Sequence, residues 1–175
     1  PRNKLMQKNL NLKIKFRESF RPFAPAVLEE DVSKWFKIKN LVSPYMLFTA
    51  EVKNSRNKVN EVSKTKILDI LYAINSEIPA ITHVDNSARL QTVSKNTNTK
   101  FHSLIEHFKK ITGCPILINT SFNVRGEPIV NSPNDAFNCF MGTGIDILVI
   151  NNYVLKKNMQ KKSKSIDYAS RFIPD

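Results

Sequence analysis

Glycine occurs only four times, cysteine twice and tryptophan once in 175 residues. So few glycines leave no glycine-rich phosphate loop: neither GxxxxGK[ST] nor GxGxxG occurs, which excludes the P-loop and Rossmann readings. Cys114 and Cys139 have no CxxC spacing and cannot staple a disulfide scaffold, so a reducing cytoplasm is the expected compartment. Apolar stretches such as Cys114–Ile118 are strand-sized, far short of the ~20 residues a membrane helix needs, and no membrane partner is expected. His102 and His107 are five apart and do not share a helix face, so they form no HxxxH pair; no metal ligand set is expected in this chain. Spacing supports no Ser-His-Asp arrangement or catalytic carboxylate pair. The chain begins at Pro1 without a basic-then-apolar leader, and reads as a fragment rather than a secreted precursor.

Acids are scarce too: 15 Asp plus Glu stand against 27 Lys plus Arg, a net charge of +12. That balance directs attention to anions, namely nucleic acid, anionic lipid or phosphorylated small molecules. Lysine (20) and asparagine (19) are abundant, whereas arginine numbers seven. Such a bias inflates net charge without a binding role, which makes the placement of the scarce Arg the better guide. Arg17, Arg21, Arg89 and Arg125 fall inside the three segments richest in chemistry. Arginine presents a planar, permanently charged fork that grips phosphate or carboxylate at two points.

The length suits one domain with its own core. Strand patterns cover Ala24–Leu28, Tyr45–Val52, Pro79–Val84, Ala88–Val93, Pro115–Asn119, Asp146–Ile150 and Tyr153–Leu155. Asp31 is placed to cap a short helix carrying Val32, Trp35 and Phe36. Phe101, Leu104, Ile105, Phe108 and Ile111 recur at helical spacing, with Gly113 as the stop. Ser132-Pro133 starts another helix, whose apolar face carries Ala136, Phe137, Phe140 and Met141. Lys53–Lys66 is a polar surface loop, and a Lys-rich tail follows residue 155. Strands and helices mingle, which predicts a mixed α/β fold with helices on a twisted sheet.

The first chemical segment, KFRESFRPFAP (15–25), sets Lys15, Arg17 and Arg21 just before a buried strand. If extended, Lys15 and Arg17 point to one face and suit phosphate oxygens; a basic surface edge beside Phe20 and Phe23 is the equal alternative. The second, ITHVDNSARLQ (81–91), pairs His83 with Asp85 on one strand and Arg89 with Gln91 on the next, as a structural network or a site lining. In the third, the strand Pro115–Asn119 runs into Thr120-Ser121-Phe122-Asn123-Val124-Arg125-Gly126-Glu127-Pro128. Hydroxyls, carboxamides and backbone N–H groups at a strand's carboxyl end suit an anion-binding nest beside Arg125, although a plain turn uses the same residues.

KIKFRESFRPFAPAVLEE, SPYML, IPAITHVDNSARLQTV, FHSLIEHFKKITGCPILINTSFNVRGEPIV and the closing DAFNCF…GIDILVI occur in order over most of residues 10–155. Together they resemble the C-terminal domain of the O-carbamoyltransferase family, which includes nodulation-factor and antibiotic carbamoyltransferases. The resemblance implies a YrdC-like open twisted mixed sheet with helices packed on it, one domain over 1–155 and a tail over 156–175. It also implies a Lys-x-Arg … Ser-x-Asn constellation, falling on Lys15, Arg17, Ser121 and Asn123 as catalytic residues. Arg21, His83, Asp85, Arg89, Asn119, Thr120 and Arg125 would contact substrate or nucleotide. The implied partners are ATP, with Mg²⁺, and carbamoyl phosphate, joined into a carbamoyl-adenylate. An N-terminal, iron-binding, actin-like domain would then pass the carbamoyl group to a substrate hydroxyl. The family pattern His-Val-Asp-Gly-Thr-Ala-Arg reads His-Val-Asp-Asn-Ser-Ala-Arg at 83–89 here. Asn tolerates left-handed backbone and Ser keeps the hydroxyl, so the turn is expected to survive. Two alternatives are an activator for tRNA threonylcarbamoylation, which the strings resemble far less, and a non-catalytic basic RNA-binding module. The second lacks RNP aromatics, zinc spacing or a helix-turn-helix, so nucleic acid is the less expected partner.

Overall fold

The computed structural model describes residues 1–39, 42–54, 56–57, 74–161 and 168, with backbone alone at 56–57 and 74–75. The backbone groups into two compact units, Pro1–Gln7 with Pro22–Thr120, and Lys8–Arg21 with Ser121–Asp175. The mixed α/β class expected from the pattern is the class observed.

In the first unit, β1 (Ala24–Leu28), β2 (Phe48–Glu51), β5 (Ser87–Val93) and β6 (Ile116–Asn119) form a sheet in the order β2-β5-β1-β6. β1 runs parallel to β5, with Ala26 beside Gln91, and antiparallel to β6, with Ala24 beside Asn119. Every residue of β1 is buried, which explains its unbroken apolar run. Its ladder with β5 begins at Ala26, so Pro25 withholds no hydrogen bond from that side. Helix α3 (Thr99–Thr112) lays Phe101 and Ile105 on Ala26, Leu28, Val93 and Leu117. Asn98 caps it by accepting the Phe101 N–H, and Gly113, at φ 72°, ends it as expected, because a left-handed residue there costs glycine nothing.

Several expectations are corrected. Asp31 stands before α2 (Val32–Trp35) but makes no side-chain cap. Its buried carboxylate instead takes Lys34 Nζ at 2.7 Å and Lys109 Nζ at 2.6 Å. An ion pair to α3 outcompetes a local cap. The predicted strand Pro79–Val84 is two turns: the Ile81 N–H reaches Ile78 O at 3.2 Å, and the Asn86 N–H reaches His83 O at 3.0 Å. Thr82 Oγ1 donates to Ile78 O and Asp85 accepts from Ser87, so short side chains satisfy the backbone in place of a ladder. Tyr45–Val52 shortens to Phe48–Glu51 because Ser43–Met46 is a turn, with Met46 at φ 56°. The pair β3 (Arg56–Asn57) and β4 (Ile74–Asn75) is antiparallel. Most of the predicted loop Lys53–Lys66, and tail residues 162–167 and 169–175, lie outside the described residues.

Helix α1 (Leu5–Leu10) runs into a single π turn, Asn11–Lys15, closed by Phe16 at φ 48°. In the second unit, α4 (Pro133–Gly142) starts in a full capping box, Ser132 with Asp135. Its buried Ala136, Phe140 and Met141 pack with Leu148, beneath Phe122, Val130, Ile150 and Leu155. β7 (Ile147–Ile150) and β8 (Tyr153–Lys156) form the expected hairpin about Asn151, at φ 51°.

Candidate functional site

The π turn carries the first cation of the site. Lys15 is only 4% exposed, and its backbone is helical rather than extended, so the predicted two-residue alternation with Arg17 does not operate. Tertiary contact replaces it. Lys15 Nζ lies 3.0 Å from Ser121 O, 3.2 Å from Ser121 Oγ, 2.7 Å from Asn123 O and 2.6 Å from Asn123 Oδ1. Three ammonium protons thus meet four protein oxygens across more than a hundred residues of chain. Burial, with Arg17 close by, pushes the Lys15 pKa down to about 8.

The Ser121–Asn123 loop is held from behind. Asn123 Nδ2 donates to Glu127 O at 2.7 Å, which fixes the carboxamide flip and turns Oδ1 toward Lys15. Ser121 Oγ donates to the same Oδ1 at 2.6 Å. The Glu127 carboxylate accepts the Val124 N–H at 2.8 Å and the Tyr168 hydroxyl. The Arg125 N–H is committed to Lys15 O, so for Val124 and Arg125 the turn reading of this loop prevails over the nest. Burial, then Glu127, pushes the Cys139 thiol up to about 12, which leaves no thiolate at neutral pH.

Asn11, fully buried, organises the other wall. Its Oδ1 accepts from Arg17 Nε at 2.6 Å, and its Nδ2 donates to Ser19 O at 3.1 Å and Arg21 O at 2.8 Å. Burial first, then Arg21, lowers the Arg17 pKa, as expected when guanidiniums crowd. Glu18 lies 3.4 Å from Arg125 and 3.8 Å from Arg21. Lys15, Arg17, Arg21, Ser121, Asn123 and Arg125 line one cavity of about 370 Å³. Four cations thus border one polar hollow, a lining whose charge suits an anion.

The remaining predicted residues belong to the first unit. His83 is half-buried in its turn, and burial lowers its pKa. Asp85 is spent on Ser87, accepting its N–H at 2.9 Å and its hydroxyl at 2.7 Å. They do not share a strand face, as they occupy a turn; Arg89 and Gln91 do share the less buried face of β5. Asn119 Nδ2 donates to Gln91 Oε1 at 2.5 Å, and Thr120 is exposed. Among the described residues, no three of His, Cys, Asp and Glu converge on a metal position. No described helix is long and apolar enough to cross a membrane.

Two contributors escaped the sequence. Asn11 is one of nineteen asparagines, with nothing local to mark it. Glu127 carries the only visible signal, an acid inside a polar, basic loop.

A family model described as "Carbamoyltransferase C-terminus" matches residues 1–157. An uncharacterized protein of Synechocystis is 51% identical over 162 residues, 91% of this chain and 26% of that protein. Nodulation protein NolO of Bradyrhizobium diazoefficiens is 40% identical over 159 residues, 90% of this chain and 26% of its own length. The 3'-hydroxymethylcephem-O-carbamoyltransferase of Amycolatopsis lactamdurans is 34% identical over 137 residues, 78% of this chain and 22% of its own. The chain thus spans about a quarter of the length of these relatives.

Proposed function

The chain belongs to the carbamoyltransferase C-terminus family, and we propose on that premise that it is the carbamoyl-activating, YrdC-like part of an O-carbamoyltransferase. The observation that carries this reading is the single cavity shared by Lys15, Arg17, Arg21, Ser121, Asn123 and Arg125. ATP and carbamoyl phosphate are both polyanions that repel one another. Holding them at reacting distance requires fixed cations, and a preorganised cluster also stabilises charge as it moves to the leaving group.

In the balanced reaction, carbamoyl phosphate and water give carbamate and inorganic phosphate. A carbamate oxygen then bonds to the α-phosphorus of ATP, and the bond to the bridging oxygen breaks, releasing pyrophosphate and leaving carbamoyl-adenylate. Arg17, Arg21 and Arg125 supply the phosphate forks. Lys15 has its protons turned to Ser121 and Asn123, so it acts by setting that loop and by its charge. His83, Asp85, Arg89, Asn119 and Thr120 are assigned to substrate or nucleotide contact by family likeness alone. Transfer to a hydroxyl is assigned to a separate amino-terminal, iron-binding domain of actin-like fold. No general base is invoked, because positioning and charge carry phosphoryl chemistry of this kind.

The test is pyrophosphate release from ATP that depends on carbamoyl phosphate, with Arg17→Ala binding nucleotide at least tenfold more weakly. No pyrophosphate even with the amino-terminal domain supplied, together with unchanged nucleotide binding by Arg17→Ala, overturns the reading. Release that depends on threonine and bicarbonate would transfer it to tRNA threonylcarbamoylation.

A further inference from the structure

A second hollow lies wholly within the first unit, off the carboxyl ends of the parallel strands β1 and β5. In open α/β sheets this is where ligands collect. The cavity is about 550 Å³, and its lining includes Glu29, which follows β1, Ser94, Asn96 and Asn98, which follow β5, and Tyr45 and Gln91. The end of β6 pairs with the start of β1 at Ala24–Asn119, so this hollow and the end of β6 occupy opposite ends of the sheet.

The turn that carries Tyr45 is anchored through its neighbours Ser43 and Pro44. It is pinned to β5 by four bonds: Thr92 N–H to Ser43 O at 3.0 Å, Ser43 N–H to Thr92 Oγ1 at 2.8 Å, Ser43 Oγ to Leu90 O at 2.9 Å, and Gln91 Nε2 to Pro44 O at 3.2 Å. Ser43 and Thr92 are buried, and Met46 adopts φ 56°, which only a constrained turn imposes on a non-glycine residue. Yet this anchored turn leaves Tyr45 80% exposed. The backbone that carries Tyr45 is fixed while its ring lines the hollow in contact with water, which suits a stacking platform better than a core residue.

We propose that this cavity binds a neutral sugar ring, its C–H face stacked on Tyr45 and its hydroxyls on the Glu29 carboxylate and the Asn96 carboxamide. Among the described residues its lining holds one carboxylate and no lysine or arginine, which disfavours a phosphate or carboxylate ligand. A flat ring, uncharged amides and one acceptor-only carboxylate suit vicinal hydroxyls, each of which donates and accepts. The ring has two sources, a hexose or the ribose of a nucleoside. The inference stands independently of the carbamoyl reading.

The test is saturation-transfer NMR on the whole chain with methyl α-D-glucoside and, separately, methyl β-D-ribofuranoside. Expected is transfer to ring C–H protons from wild type and from Tyr45→Phe, reduced at least fivefold in Tyr45→Ala and in Glu29→Gln. Transfer from the glucoside alone identifies a hexose and from the riboside alone a nucleoside; both support the proposal. No transfer from either sugar, or transfer undiminished in Tyr45→Ala, overturns it. Because Tyr45 is exposed, its variants keep the fold, which an unchanged melting temperature checks.

Discussion

Asn11 Oδ1 accepts from Arg17 Nε at 2.6 Å, while the same carboxamide donates to the backbone oxygens of Ser19 and Arg21. One buried neutral side chain thereby closes the segment that carries two of the site's guanidiniums. Its oxygen orients a charge without cancelling it, so the cavity keeps its positive field.

Replacing that clamp is expected to be costly for both stability and binding. Asn11→Ala strands two carbonyls and loses a charged hydrogen bond in a buried position, worth about 2–4 kcal/mol together. Urea titration measures the stability loss. A calorimetric ATP titration under conditions where the variant remains folded is expected to show binding weakened at least tenfold, because Arg17 loses its alignment.

Ser121 and Asn123 are expected to rank in a definite order. Asn123 Oδ1 holds Lys15 Nζ at 2.6 Å and its Nδ2 holds Glu127 O, whereas Ser121 Oγ stands 3.2 Å from Nζ. Asn123→Ala is therefore predicted to cost about 2 kcal/mol and Ser121→Ala about 1 kcal/mol. Chemical denaturation of the two variants at pH 7 checks this, and equal losses would contradict the geometry.

Lys15 makes stability depend on alkaline pH in a defined direction. Its folded pKa is depressed to about 8 from 10.5, so between those values the unfolded chain binds more protons than the folded one. Stability attributable to Lys15 therefore rises as pH increases from about 8 to 10.5, as the buried charge is relieved. Wild type is expected to gain on Lys15→Met across that range in parallel urea titrations. Nucleotide binding should move oppositely, weakening above pH 8 as the cavity loses a charge.

The turn at 83–86 offers an opportunity to stabilise the protein. Asn86 has φ 63°, and its buried Oδ1 has no hydrogen-bond partner among the described residues. Asn86→Gly removes an orphaned acceptor and the left-handed strain, against about 0.5–1 kcal/mol of glycine entropy. The net expectation is a gain of about 1 kcal/mol, read as a higher melting temperature. Val52 N–H, which bonds to the backbone oxygen of Asn86, is unaffected.

Much of the fold was legible where the causes are local. Gly113 ends α3 and Ser132-Pro133 starts α4 as the sequence indicates, because helix ends are decided within four residues. Strand β1 was legible as a buried apolar run and β6 as a short apolar strand. Failures arose where side chains had a choice of partner. Asp31 preferred Lys109, 78 residues away, to a local cap. His83 and Asp85 sit in a turn whose hydroxyl and carboxylate bonds mimic a strand's satisfaction without its direction.

Alone, the order of residues determined the chemical inventory: a scarce set of arginines, a serine and an asparagine two apart, and strings specific enough to name a family. Only the tertiary structure decided that Lys15, Arg17, Arg21 and Arg125 surround one hollow, that the protons of Lys15 face Ser121 and Asn123, and that Arg89 belongs to another compact unit. The reason is physical: caps and turns are set by neighbours along the chain. A buried ammonium, by contrast, must find its oxygens wherever the folded chain brings them.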